Sequence, residues 1–409
     1  MKKDRGQIYI IFLCWLLYTI AQLGRYSYSS NTTLIIDAYG VSHADAGLPT
    51  TYYFFAYGAG NIIVGLFCSR YNKRIAVTLA LVVSIISNVL LFSGIDFRYI
   101  KYVWAANGFA QANLWPIMLL TLGQHLETKR MPFAAIVMST ASYGGTFLTY
   151  GISSLNSLLG VDFAYVFLFG AIGMFAVGAL WFFTTKHIDD EMIPTVTEET
   201  KRSKFTASAV IMLGALMLFA LIANAVSGGL KQWVPSILKE SFHLDDWLAI
   251  FVSVALPLIS IVTAFISAVV YDLLKNFILS SAIMFVIAAA LMPLVITFLD
   301  TSWPVIMVLF VTIYVAMSVT INQLSVQAPL YLKDKMNSGF LAGLLNGACY
   351  IGSAVSTYVL GIFADNDGWK GAFNLLFAMS FLAAATAFIY YLFIRRKERE
   401  NVDVEDVDL

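Results

Sequence analysis

Arg25 and Lys231 each sit inside a long apolar stretch, WLLYTIAQLGRYSYSSNTTLII and LFALIANAVSGGLKQWVPSIL, and no acidic residue shares either stretch. A charge near the middle of a bilayer costs roughly 2.5–3.5 kcal/mol on insertion scales, so such residues usually face a cavity and serve a purpose. With no fixed carboxylate nearby, the counter-ion has to arrive from solution. The chemistry implied is capture of a small anion. The plainer alternative is a pair of long side chains that snorkel to the membrane surface.

Composition sets the context for these two charges. The chain has 409 residues, 59% hydrophobic and 12% charged, with a mean hydropathy of +0.78. A soluble domain carries about 25% charged residues, so a polytopic membrane protein is expected, with membrane lipid around it. The formal net charge is zero, which leaves no basic footprint for nucleic acid. Cys14, Cys68 and Cys349 fall in or beside apolar segments and read as free buried thiols. His43, His125, His187 and His243 fall in loops or at segment ends without metal-ligand spacing, so neither metal nor cofactor is expected. No nucleophile and base share a face, which argues against an enzyme. The first apolar stretch is too long for a cleavable signal peptide.

A spanning helix needs about 20 mostly apolar residues. Such runs fall at 7–38, 45–69, 74–94, 98–125, 132–159, 163–185, 207–238, 246–272, 276–299, 303–331, 338–364 and 370–394. The expected fold is all-α: twelve transmembrane helices in two six-helix bundles, residues 1–185 and 207–395. A polar linker, 186–206, joins them, and an acidic cytoplasmic tail, 396–409, follows, whose end ENVDVEDVDL is expected to be unstructured. Placing both termini in the cytoplasm puts nineteen of the 25 Lys and Arg on the inner side and four on the outer. That asymmetry predicts a multi-pass protein of the cytoplasmic (inner) membrane with both termini inside. The halves also align weakly at an offset of 203, pairing Tyr39 with Phe242 and Ser42 with Asp245. Helices 1 and 7 thereby become equivalent, and they carry the two buried cations about one turn apart in register.

Several segments carry a family resemblance: SHADAGLPTTYYFFAYGAGNIIVGLFCSRYNKR (42–74), NGFAQANLWPIM (107–118), YGGTF (143–147), WVPSIL (233–238), SGFLAGLLNGACYIGSA (338–354) and DNDGWKGAF (365–373). With them the chain resembles the major facilitator superfamily, and within it the organophosphate:phosphate antiporters. Those include the glycerol-3-phosphate and hexose-phosphate carriers and a related sugar-phosphate sensor. The resemblance implies the major facilitator fold, a monomer, and alternating-access transport of a small anionic solute, a phosphorylated or carboxylated metabolite. It leaves a transport-fold sensor for a sugar phosphate, or a lipid or drug exporter, as alternatives.

The resemblance places Arg25 on the family's phosphate-binding arginine of helix 1, and Tyr18, Tyr57 and Tyr350 on tyrosines that line its site. Elsewhere the chain departs from the pattern. Asn61 stands where the carriers have a helix 2 lysine, Ala141 where they have a histidine, Ser227 where a second arginine would be, and Ser69 where a loop aspartate would be. Lys231 supplies a charge one turn from Ser227, but as a point charge without arginine's bidentate fork. Asn61, Asn322 and Asn346 are mid-span polar residues that need partners or a wet cavity. Gly58, Gly60, Gly144, Gly145, Gly343 and Gly347 are expected at helix contacts. No Asp or Glu lies mid-span, which favours exchange or facilitated anion movement over proton symport.

Overall fold

In the computed structural model, residues 2–67, 72–186, 207–331 and 338–405 are described. The expected linker beyond Lys186 lies outside them, as do Cys68, Ser69 and His187. The described residues make twelve helical passages. They are α1 (Lys2–Ser30, continued by Thr32–Tyr39), α2 (His43–Phe67), α3 (Lys73–Phe92), α4 (Phe97–Gln111 and Leu114–His125), α5 (Met131–Leu158) and α6 (Ala164–Thr184). The second six are α7 (Ala207–Phe242), α8 (Asp246–Ser253 and Ala255–Leu274), α9 (Phe277–Phe298), α10 (Trp303–Asn322, the π turn Gln323–Gln327, Ala328–Tyr331), α11 (338–367) and α12 (369–405).

Local chemistry explains the breaks. Proline has no N–H and crowds the carbonyl four residues back. Pro116 therefore interrupts α4 at Ala112–Asn113, Pro257 interrupts α8 at Val254, and Pro329 follows the π turn of α10. In α1 the amide of Asn31 donates to the Ser27 carbonyl at 2.7 Å, and helical geometry lapses there. Gly368, at φ 67° and ψ −178°, turns α11 into α12 through a conformation that only glycine adopts without strain. Asn72 and Asn276 cap α3 and α9 by accepting first-turn N–H groups. One expectation fails: α12 continues to Glu405, through most of the acidic tail. The sequence RRKERE places opposite charges three and four apart, a spacing that supports helix.

Eight helical stretches among the described residues are long and apolar enough to cross a membrane, and one of them, 341–396, contains the turn at Gly368 and so two passages. The passages that fall short are α2, α4 and α5. Their polar residues and breaks face inward, as described below, while the exterior carries Phe12, Ile86, Phe175, Phe265, Leu273 and Phe381. This inside-out polarity is that of a multi-pass membrane protein. Apolar packing is divided: one core draws on residues from Leu216 to Ala387 and another on Ile11 to Trp181. The halves meet along α2 against α11 and α5 against α8. Thr33 and Ser236, 203 positions apart, share a hydrogen bond at 3.2 Å. Residues related by the repeat register therefore touch, which marks the pseudo-twofold axis between α1 and α7.

Close helix contacts rest partly on other glycines than expected. Gly60 and Gly145 do sit tightly, against Ala112 and against Thr19 and Gln22, but Gly144 and Gly343 have open space beside them. The closest approach is at Gly352, where a Cβ would run into the Leu221 carbonyl of α7. Neither backbone can yield locally, so Gly352→Ala should destabilise the protein by about 1–3 kcal/mol, read as a lowered Tm in detergent. Gly214→Ala, with nothing near its Cβ position, should leave the Tm unchanged or raise it.

Candidate functional site

Arg25 is held by the back of its own helix. The Gly24 carbonyl accepts from Asn107 at 2.9 Å and Asn88 at 3.2 Å, and the Ala21 carbonyl accepts from Gln111 at 3.3 Å. These amides, buried among α1, α3 and α4, fix the rotation of α1 and turn Arg25 toward the midline. Gln111, one of the polar residues visible mid-span, is thus helix–helix glue rather than cavity lining. Arg25 is only 9% exposed. Its guanidinium carbon lies 4.4 Å from the centre of the Tyr57 ring and 5.3 Å from that of Tyr26. Its Nε is buried without a hydrogen-bond partner.

Lys231 reaches the same place from α7, its Nζ 4.0 Å from the centre of the Tyr26 ring. One tyrosine ring is therefore shared by two cations. Aromatic faces contribute roughly 0.5–2 kcal/mol to a cation, far less than the cost of removing a charge from water. No carboxylate of the described residues forms an ion pair with either. Two like charges near each other in a low dielectric also repel. The cavity is electrostatically unfinished.

All eight residues singled out in the sequence line this space, in three adjoining parts. Arg25, Lys231, Asn346 and Tyr350 border a central cavity of about 220 Å³. Tyr18, Tyr57 and Asn61, with Asn346 and Tyr350 again, border a wider one of about 430 Å³ toward the end that carries the chain termini. Asn322 borders a third, of about 220 Å³, which also touches Lys231. The wider part is aromatic: Trp115 packs on Tyr18 at 4.8 Å and Tyr57 meets Tyr350 across the halves at 4.7 Å. The third part is lined by hydroxyls and amides, among them Ser142, Thr146, Ser260, Thr263 and Tyr314. Ser260 and Tyr314 share a hydrogen bond at 2.9 Å.

Sequence reasoning left out Tyr26, Asn224 and Tyr314 as site residues. Asn224 lies two turns before Lys231 on the same face and donates to Ser353 at 2.8 Å and to the Cys349 carbonyl at 2.6 Å. A readable signal existed. Ser253, Ser260, Thr263 and Ser267 form a polar stripe of helical period on apolar α8, as Tyr314, Ser318 and Asn322 do on α10. Tyr26 carried no such signal beyond its position next to Arg25.

The opposite end of the cavity is shut. Hydrogen bonds joining the halves cluster there: Thr33 with Ser236, Gln232 to Thr32 at 2.9 Å, Thr51 to the Ala354 carbonyl at 2.9 Å, and Ser154 to the Trp247 carbonyl at 2.7 Å. Lys239 pairs with Asp37 and with Asp246. Gly47 packs against the Thr357 carbonyl and Trp233, and Gly361 against Ala44.

The family model described as Major Facilitator Superfamily matches residues 14–332. The chain belongs to the Major Facilitator Superfamily. Among solved structures of similar fold, a bacterial homolog of the human lysosomal transporter Spinster, in an inward-facing and occupied conformation, aligns with a TM-score of 0.75 at 15% identity over 93% of this chain and 96% of that one. The nucleoside transporter NupG aligns with a TM-score of 0.65 at 13% identity over 94% and 98%. A curated relative, "Sugar phosphate exchanger 3" of Xenopus laevis, is 29% identical over 144 residues, 34% of this chain. The matched segment spans 28% of that relative's length. The major facilitator fold, with twelve helices in two pseudo-symmetric bundles, follows from the family and the architecture together.

A buried charge without a counter-ion weakens the fold that holds it, and an isosteric apolar side chain relieves that cost. Arg25→Met should therefore raise the Tm of the ligand-free protein, by an amount equivalent to about 1–3 kcal/mol. A lowered Tm would show that the guanidinium is already compensated.

Proposed function

We propose that this chain is a secondary transporter of a small organic anion, a phosphate monoester foremost, that works by exchange through alternating access. The observation that carries the proposal is the pair of cations sharing Tyr26 in a central cavity, with no carboxylate of the described residues paired to either. The anionic head lies between Arg25 and Lys231. The uncharged body extends into the arm of hydroxyls and amides bordered by Ser260, Thr263, Tyr314 and Asn322, where a polyol exchanges water for protein hydrogen bonds. The printed name of the Xenopus laevis relative, a sugar phosphate exchanger, supports the same class.

In this reading the membrane is a cell inner membrane and the terminal end faces the cytoplasm, as the Lys and Arg distribution suggests. The aromatic arm then opens inward and the sealed end faces out. An anion neutralises the two cations, removes their repulsion and lets α1 and α7 close on it. The bundles rock about the axis marked by Thr33 and Ser236. Return of an empty, doubly charged site is unfavourable, so one anion leaves as another enters. Exchange requires no mid-span acid, and none of the described site residues is one.

The test is counterflow of radiolabelled glucose 6-phosphate and glycerol 3-phosphate in proteoliposomes. Hydrogen bonds to a charged group contribute about 1.5–3 kcal/mol each, so Arg25→Ala and Lys231→Ala should each slow exchange by at least about tenfold. Both esters should also raise the Tm of the parent and leave that of Arg25→Ala unchanged. Should Arg25→Ala exchange either ester as fast as the parent, the anion site is misassigned.

A further inference from the structure

His43 occupies an unusual position at the sealed end. It begins α2, just before the apolar run 45–69, and its side chain is 16% exposed. Its Nε2 lies 2.7 Å from Glu240 Oε1 of α7, and its Nδ1 lies 2.7 Å from Asp365 Oδ1 at the end of α11. Asp365 also accepts the backbone N–H groups of His43 and Ala44, both at 2.9 Å, and so caps the positive end of α2. Glu240 is fixed on its other side by the indole N–H of Trp369 at 2.8 Å. A single imidazole thus ties the first half to two carboxylates of the second.

Proton counting gives this arrangement its meaning. A neutral imidazole has one N–H and one lone pair. Set between two carboxylates at 2.7 Å, it would hold one good hydrogen bond and one repulsive lone-pair contact. Both contacts become favourable when the cluster carries one more proton than a neutral imidazole and two carboxylates. Neighbouring charges do not substitute for that proton: Asp45 of α2 is bonded to Ser42, Lys239 of α7 is engaged by Asp37 of α1 and Asp246 of α8, and Lys370 of α12 pairs with Asp300. Trp233 and Trp369 pack on the imidazole in T-shaped geometry, their ring centres 5.7 Å and 5.2 Å away.

We propose that His43, Glu240 and Asp365 form a proton-binding latch, separate from the anion cavity, that takes up one proton when this end closes and gives it up when the end opens. Separation of the halves would return His43 to water, where an imidazole has its ordinary value of about 6.5 and is mostly neutral at pH 7. In the closed latch, burial alone would lower that value, but the hydrogen bonds and charges of Glu240 and Asp365 outweigh it and raise it. The sign follows from linkage. The closed state's extra stability is complete below about pH 6.5 and is lost as pH rises through the raised value. Between the two values, one proton makes the closed-to-open ratio change by up to tenfold per pH unit.

The test needs no solute and so stands apart from the choice of substrate. Nitroxide labels on Val41→Cys and Asn366→Cys, in full-length protein whose native cysteines are replaced by alanine, report the distance across this end in nanodiscs from pH 5 to pH 9. The short-distance population should fall with rising pH, with a midpoint above 6.5. His43→Gln should flatten the dependence, and Glu240→Gln, at a more exposed position and safer for folding, should move the midpoint to lower pH. A population that ignores pH in the parent, or a dependence that both variants retain unaltered, overturns the latch.

Discussion

Positive charge held in a nearly dry place without a fixed partner is the constraint around which this protein is arranged. Arg25 and Lys231 both approach the ring of Tyr26, and the surrounding rings soften the cost of their burial without cancelling it. Much of the first bundle serves to keep Arg25 there. Asn88, Asn107 and Gln111 spend their hydrogen bonds on carbonyls of α1, which leaves the front of that helix free to present a charge. A site finished with its own carboxylate would be more stable and would have nothing to attract.

The broken helices belong to the same economy. Passages α1, α4, α8 and α10 each lapse from regular geometry, and three of these lapses stand next to proline. Irregular backbone is tolerated at membrane depth only where protein or water covers it. Here it falls in helices that border the cavity or the axis between halves, while the lipid-facing passages α3, α6 and α9 are unbroken apart from Pro293. Such a division lets inner helices bend while outer ones keep their shape.

Contacts between the halves are distributed unequally. One end is sealed by hydrogen bonds, ion pairs and close glycine contacts, whereas the middle is bridged by Tyr57 on Tyr350. Polar seals at an end wetted by water have a modest net worth, because each protein hydrogen bond replaces one to solvent. That makes them reversible, in contrast to the apolar cores of the bundles, whose separation would expose large buried side chains such as Trp181 and Phe285. Rigid bundles joined by a weak polar seam are suited to rocking.

Much of this was legible in the sequence, because bilayer physics writes itself along the chain. Twenty-residue apolar runs gave the passages, and the two lone cations stood out since hydrocarbon tolerates few charges. All eight residues chosen from the sequence fall around one set of cavities, since a polar residue at mid-depth has few other places to face. The contact between Thr33 and Ser236 falls on the same offset of 203 that aligns the halves. Tertiary structure alone decided the rest. Whether Gln111 lined the cavity or braced α1 depended on helix rotation, which the apolar pattern leaves loose when both faces are covered. His43 read as an ordinary loop histidine because Glu240 and Asp365 lie 197 and 322 positions away. Spacing along the chain reports partners on one helix; partners on different helices are set only when the bundles close against each other.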